Sequence, residues 1–189
     1  MKKLFTLLAL TISFSMNAQL TAVTEGGNTG QRLSTSNASN HGDIGSNAVD
    51  LSYQDYSDVA NGATGRNSVA MGWNTKAEGS YSTALGGDTR ASGNNSTAMG
   101  TITEASGYAS TAMGRETKAI GDYSIATGNT TIARDFYTVV IGQYNSSGSS
   151  ATSANSYFSF STSAPAFVIG NGADSSNKSD AFKVMFNGD

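Results

Sequence analysis

Glycine recurs every seven residues at 65, 72, 79, 86, 93, 100, 107, 114, 121 and 128, is replaced by Asp135, and returns at Gly142. An alanine stands two residues before each of the first ten, and again at Ala133 before Asp135. From Ala70 to Ala133, two residues before the alanine is a serine or a threonine, so the unit reads [Ser/Thr]-x-Ala-x-Gly-x-x. A period of seven invites a coiled-coil reading. The chemistry refuses it: one glycine per heptad costs a helix about 1 kcal/mol each relative to alanine, and no leucine or isoleucine seam offsets that. Small residues alternating at period two mark a strand, and Gly-x-x marks a turn.

Serine and threonine alternate from unit to unit, through Ser68, Thr75, Ser82, Thr89, Ser96 and onward to Thr131, so the true repeat is fourteen residues, or two strands. The residues flanking alanine separate the two. Beside Ala70, Ala84, Ala98, Ala112 and Ala126 stand Val69/Met71, Thr83/Leu85, Thr97/Met99, Thr111/Met113 and Ile125/Thr127. Beside Ala77, Ala91, Ala105 and Ala119 stand Lys76/Glu78, Arg90/Ser92, Glu104/Ser106 and Lys118/Ile120. Successive strand residues face opposite ways. The small residues therefore share one inner face, while one outer face is apolar and the other polar. The expected fold is all-β, a two-sheet roll of fourteen-residue coils. Five or six coils would give a rod of roughly 25–30 Å. An apolar outer stripe that long needs a partner, and copies of the same chain are the simplest one.

Composition agrees. Ser, Thr, Asn and Gly make up 87 of 189 residues, whereas Leu, Ile, Val and Phe together contribute only 32. That excludes a thick aliphatic core and suits a thin fold with small residues inside. The absence of cysteine rules out disulfides and thiolate-bound metals. With 11 Lys+Arg against 14 Asp+Glu there is no basic field for nucleic acid. At the start, Lys2 and Lys3 precede an apolar run from Leu4 to Phe14, and Ala18 precedes Gln19. This is the pattern of a secretory signal peptide over residues 1–18, with a run too short to span a bilayer. No second apolar stretch follows, so no direct membrane span is expected. The mature protein is expected to be exported, to the cell surface, the outer membrane or the medium.

The stretch Asn67–Thr75, NSVAMGWNT, and the recurring NSTAMG of Asn95–Gly100, with STALG, STAMG and SIATG, resemble the YadA-like head repeats of trimeric autotransporter adhesins. The resemblance covers 63–142. It implies a left-handed parallel β-roll solenoid, three copies packed as a homotrimer, and an adhesive head binding a protein or glycan on a host or bacterial surface. The expected trimer contacts are Val69, Met71, Leu85, Met99, Met113, Ile125 and Ile141. Residues 19–62 are expected to cap the first coil. Residues 143–165 read as a Ser-rich connector ending at Pro165. Residues 166–189 read as a strand-turn-strand segment with strands at Ala166–Ile169 and Ala181–Phe186. A strand ending so near Asp189 suggests a chain that continues. The stalk and membrane anchor of such adhesins have no counterpart in this sequence.

Candidate chemistry is sparse. The sole histidine, His41, lies two residues from Asp43, but no nucleophile elbow or oxyanion signature accompanies them, so a solvated loop histidine is expected. Glu78, Asp88, Glu104, Glu116 and Asp122 fall in changing columns and mark no catalytic pair. Calcium-binding rolls need a nine-residue, Asp-bearing repeat, which is absent. No catalytic, cofactor or metal residue is assigned. The threonine column would suit an ice-binding face only if it pointed outward, and alternation places it inside. A phage tail-fibre segment is a further alternative, against which the signal pattern speaks. Among the aromatics Trp73, Tyr81, Tyr108, Tyr123, Phe136 and Tyr137, at or near the turns, Trp73, Tyr81 and Tyr108 are the expected ligand contacts.

Overall fold

The computed structural model describes residues 20–54, 61–146 and 161–189. The signal segment and most of the Ser-rich connector lie outside the described residues.

Each fourteen-residue unit folds into one long and one short strand, set by where the glycine falls. The long strands are β3 (Val49–Tyr53), β5 (Val69–Trp73), β7 (Thr83–Gly87), β9 (Thr97–Thr101), β11 (Thr111–Arg115), β13 (Ile125–Asn129) and β15 (Val139–Gln143). The short ones are β4 (Gly62–Ala63), β6 (Lys76–Ala77), β8 (Arg90–Ala91), β10 (Glu104–Ala105), β12 (Lys118–Ala119) and β14 (Ile132–Ala133). A hairpin of β1 (Leu20–Glu25) and β2 (Asn28–Leu33) precedes them, and one of β16 (Pro165–Asn171) and β17 (Asp180–Met185) follows. The long strands form an eleven-stranded sheet, β1-β2-β3-β5-β7-β9-β11-β13-β15-β16-β17, and the short ones a six-stranded sheet, β14-β12-β10-β8-β6-β4. All pairings are parallel except the two terminal hairpins.

Register is kept residue for residue: Ala84 pairs with Ala98 and Ala98 with Ala112, while Ala91 pairs with Ala105. The alanine rows are fully buried, and Val140 and Val168 close the stack on the long-sheet side. The threonine column, Thr75 to Thr131, is equally buried, so it offers no hydroxyl ladder to ice. Ser68 and Ser110 donate their hydroxyls to the Gly65 and Gly107 carbonyls at 2.7 and 2.8 Å. Ala98→Leu should cost about 1–3 kcal/mol through overpacking of this thin interior. Lys76→Leu, outside the short sheet, should stay within about 0.5 kcal/mol. Thermal unfolding of the two variants tests the assignment of faces, and a reversed ranking would invert it.

One detail departs from the sequence reading, which took every glycine as a turn residue. Gly72, Gly86, Gly100, Gly114 and Gly128 lie within long strands at φ of 118° to 125°. The corners turn instead on the second residue after each glycine. From Asn67 to Tyr144, every seventh residue is left-handed, with φ between 42° and 61°. Asparagine and aspartate tolerate this region. Neighbouring coils are then pinned by side chains: Asn94 Oδ1 accepts the Ser80 N–H at 2.9 Å, Asp122 Oδ1 accepts the Tyr108 N–H at 2.7 Å, and the Asn74 amide donates to Asp88.

The short sheet is closed at both edges. Gly42 and Gly45 donate their N–H groups to the Asn61 and Ala63 carbonyls at 2.9 Å each, covering β4. At β14 the Asn145 side chain imitates a further strand: its Oδ1 accepts the Ile132 N–H at 2.8 Å and its Nδ2 donates to the Ile132 carbonyl at 3.1 Å. Both devices satisfy edge groups that would otherwise template further pairing. Asp135 explains the broken beat. A Cβ on any earlier glycine of its column would collide with the next coil's backbone; on Gly121 it would strike the Asp135 carbonyl itself. By the same geometry, a side chain at 135 occupies the space where another coil would stack.

Asp135 is buried, and among the described residues neither carboxylate oxygen has a hydrogen-bond partner. Desolvation pushes its carboxyl up, against a smaller opposing effect of Arg134. With the folded value raised, the carboxyl's favourable contribution is complete below its unfolded value of about 3.9 and is lost as pH rises through the folded value. Asp135→Asn should therefore raise the unfolding temperature at pH 7 by about 2–4 °C. The gain should vanish near pH 3.5. An equal gain at both pH values would show that charge is not its source.

Candidate functional site

The outer face of the long sheet carries the predicted apolar stripe. Val69, Met71, Leu85, Met99, Met113, Ile125 and Ile141 are half-buried or exposed, with Met71 and Met113 more than 40% open to solvent. Their placement follows from alternation about the buried alanines. Leu85, Met99 and Met113 stack in one register row.

The aromatic residues separate into two kinds of site. Tyr108, Tyr123, Phe136 and Tyr137 gather at one corner of the roll. Tyr123 and Tyr137 stack with centroids 4.9 Å apart, Tyr108 meets Tyr123 edge-on at 5.4 Å, and buried Phe136 lies under Tyr137 at 4.5 Å. The three tyrosines remain exposed. Desolvation, then the Tyr108, Tyr137 and Asp122 neighbours, push the Tyr123 phenol up. Tyr123 and Tyr137 hold left-handed backbones that Asn67 and Asn95 adopt in the same column. Tyrosine gains no conformational advantage there, so its presence calls for another reason. Of the three ligand contacts expected from sequence, only Tyr108 joins this cluster. Tyr81 lies two coils away under the Arg66 guanidinium, 5.2 Å above its ring, and Arg66 Nη2 donates to its hydroxyl at 2.6 Å. Trp73 is not a turn residue: it ends β5, in register with Tyr53. The sequence signal for Tyr123 and Tyr137 was available, since 108, 122–123 and 136–137 recur at the coil period.

On the short sheet, Arg90 pairs with Glu78 at 2.8 Å and Lys118 with Glu104 at 3.0 Å. A shallow groove of about 460 Å³ runs between Asn74, Lys76, Glu78, Asp88, Thr89 and Arg90. Its two carboxylates are engaged by Arg90 and Asn74.

His41 corrects the sequence reading, because it is buried and not solvated. Its Nδ1 lies 3.0 Å from Asp50 Oδ2 and 3.4 Å from Ser52 Oγ, and Ser52 donates to Asp50 Oδ1 at 2.5 Å. These are the residue types of a hydrolytic triad, but not its geometry. Serine and aspartate both approach the same ring nitrogen, and the serine is inaccessible. Arg32 completes the cluster, donating from Nε to Asp50 at 3.2 Å, from Nη1 to Glu25 at 2.7 Å and from Nη2 to the Gly42 carbonyl at 3.0 Å. The set anchors the segment that covers β4. Asp43, the carboxylate nearest His41 in the sequence, lies instead beside Gly26. Among the described residues no three His, Cys, Asp or Glu side chains are grouped to hold a metal, and no helix is long and apolar enough to cross a membrane.

No curated protein matches the chain. The family described as YadA head domain repeat (2 copies) matches residues 63–89, 77–103, 91–114 and 105–131. The starts of these spans advance by fourteen residues, the length of one coil. The stacked coils of residues 63–131 are therefore similar to YadA head repeats.

Proposed function

We propose that the protein is the adhesive head of an exported, surface-displayed fibre, assembled as a homotrimer through the outer face of the long sheet. The YadA head repeat is an adhesin module, which gives the coarse function. The observation that carries the finer reading is the apolar row Leu85, Met99 and Met113, left open on a sheet whose inner face is already filled. Three chains covering that row would leave the polar short sheets and the tyrosine corners outward. Contact is made by the tyrosines at 108, 123 and 137, repeated once per chain, with Trp73 and Tyr81 as outlying rings. The partner is a protein or glycan on a host or bacterial surface. Weak patches held together gain avidity without a deep pocket. No residue is assigned a catalytic role.

The test compares beads coated with the mature protein and with Met99→Glu/Met113→Glu, a variant that places unpaired charge in the proposed contact. Light scattering should give a trimer for the first and a monomer for the second. Retention on a panel of matrix proteins and glycans should fall at least tenfold in the monomer, and severalfold in trimeric Tyr123→Ser/Tyr137→Ser. Equal retention by trimer and monomer would defeat the avidity mechanism. A folded monomer for the unsubstituted chain would defeat the assembly.

A further inference from the structure

The apolar outer face does not stop where the repeats stop. Ile141 is in register with Ile169 of β16, and Ile169 faces Phe182 of β17. Beside them Val139 pairs with Phe167, and Phe167 with Val184. Val168, between the two outward residues of β16, points inward and is buried. The terminal hairpin therefore presents its apolar side in the same plane as Met99 and Met113. Phe182 is 51% exposed, and its ring meets Phe167 edge-on at 6.2 Å.

This continuity bears on a difficulty inherent in the repeats. Thr83, Thr97 and Thr111 form one outward row, and Leu85, Met99 and Met113 the next, nearly unchanged from coil to coil. A neighbouring copy displaced by one coil, about 4.8 Å, would meet almost the same surface. The repeats thus supply contact area with little preference for axial register, as weakly patterned strands do. Among the described residues, this outer face carries phenylalanine only at the terminal hairpin. A one-coil slip would uncover Phe182 on one copy and set Phe167 and Phe182 of another against the smaller Val139 and Ile169.

Resting on the trimeric reading above, we propose that the β16–β17 hairpin is the register pin of the assembly, with Phe167 and Phe182 of each copy packing against the same pair in its neighbours. The occupant of this face is a second copy. Whatever covers Met99 lies in the plane of Phe182, and a sheet of the same eleven strands is the partner whose extent matches both.

The chain lacks cysteine, so introduced thiols are unique. Chains carrying Leu85→Cys and chains carrying Met113→Cys are mixed, refolded together and oxidised, and the disulfides are identified by mass spectrometry. Residues 85 and 113 are two coils apart in one row, about 9.6 Å along the axis, and a one-coil slip brings them to about 4.8 Å; a disulfide needs the two Cα atoms within about 7 Å. With the natural hairpin, 85–85 and 113–113 links should dominate and 85–113 links stay below about a tenth of the total by that reach. In Phe167→Thr/Phe182→Thr the mixed link should rise at least fivefold while light scattering still gives a trimer. Phe182→Thr alone, at an exposed position, repeats the measurement without disturbing the monomer. An unchanged share of mixed links in a trimeric variant would overturn the proposal, as would loss of the trimer in Phe182→Thr, which would make the hairpin a source of affinity and not of register. A monomeric unsubstituted chain would instead remove the trimeric reading on which the pin rests.

Discussion

Gly100→Ala should destabilise the protein by about 4 kcal/mol, in the range reserved for backbone collision and strain. At φ 122°, an added Cβ would stand 2.0 Å from the Gly114 carbonyl oxygen of the next coil. That atom belongs to the backbone, so no rotamer change relieves the clash. The alternative is to push adjacent coils apart and lose their ladder. The backbone conformation is itself one that a side chain resists, at a further cost of about 1–3 kcal/mol. Gly87→Ala, only thirteen residues earlier, has an ordinary φ and nothing within 4 Å of its Cβ. It should change stability by less than about 0.5 kcal/mol. Urea unfolding of the pair isolates the column from glycine content in general. Similar losses in both would mean that coil spacing does not depend on the missing side chain.

Asp50→Ala should cost about 3–5 kcal/mol, because it leaves the Arg32 guanidinium buried with one acceptor fewer and strips His41 and Ser52 of theirs. The wild-type protein should show the same dependence through pH. Burial pushes the Asp50 carboxyl up, but hydrogen bonds from His41 and Ser52, with the charge of His41, outweigh it and hold the carboxyl below its ordinary value. A depressed folded value means stabilisation that is complete above the unfolded value, about 3.9, and is lost as pH falls through the folded one. Asp135 runs the opposite way. Acid should therefore loosen the amino-terminal end of the roll while relieving its other end. Hydrogen exchange resolved by residue can follow both: the Gly42 and Gly45 amides should lose protection on going from pH 6 to pH 3, and the amides around Ala133 should not. Equal loss at both ends would contradict the assignment of the two carboxylates.

Much of the architecture was legible because a repeat fold writes its geometry at every coil. The inner rows could be read from alanine and hydroxyl residues at period two, and the two outer faces from their flanks. Ten successive glycines fixed the coil length without any structure. The amino-terminal segment was less legible. Residues 20–33 form a hairpin that joins the stack, and its buried partner to Asp50 is Arg32, eighteen positions earlier. No local pattern announces that pairing. His41 was misread for the same reason: a histidine in Ser-Asn-His-Gly-Asp looks like a loop residue, and it lies in one, but Asp50 and Ser52 come to it from β3.

The candidate contact surface divides in the same way. Leu85, Met99 and Met113 were read correctly as one outward row, since strand alternation leaves no other place for them. The gathering of the tyrosines at one corner was not read from the sequence. Tyr108 precedes its corner residue by one position, whereas Tyr123 and Tyr137 are corner residues, so their convergence depends on how the chain turns and not on period alone. The extension of the apolar face through Phe167 to Phe182 needed the register between β15 and β16, strands separated by a long connection. Repetition made local sequence sufficient within the coils, because every residue meets its own equivalent fourteen positions away. At both ends that equivalence fails, contacts join unlike and distant segments, and only the tertiary structure decides which residues cap the roll and where its outer face stops.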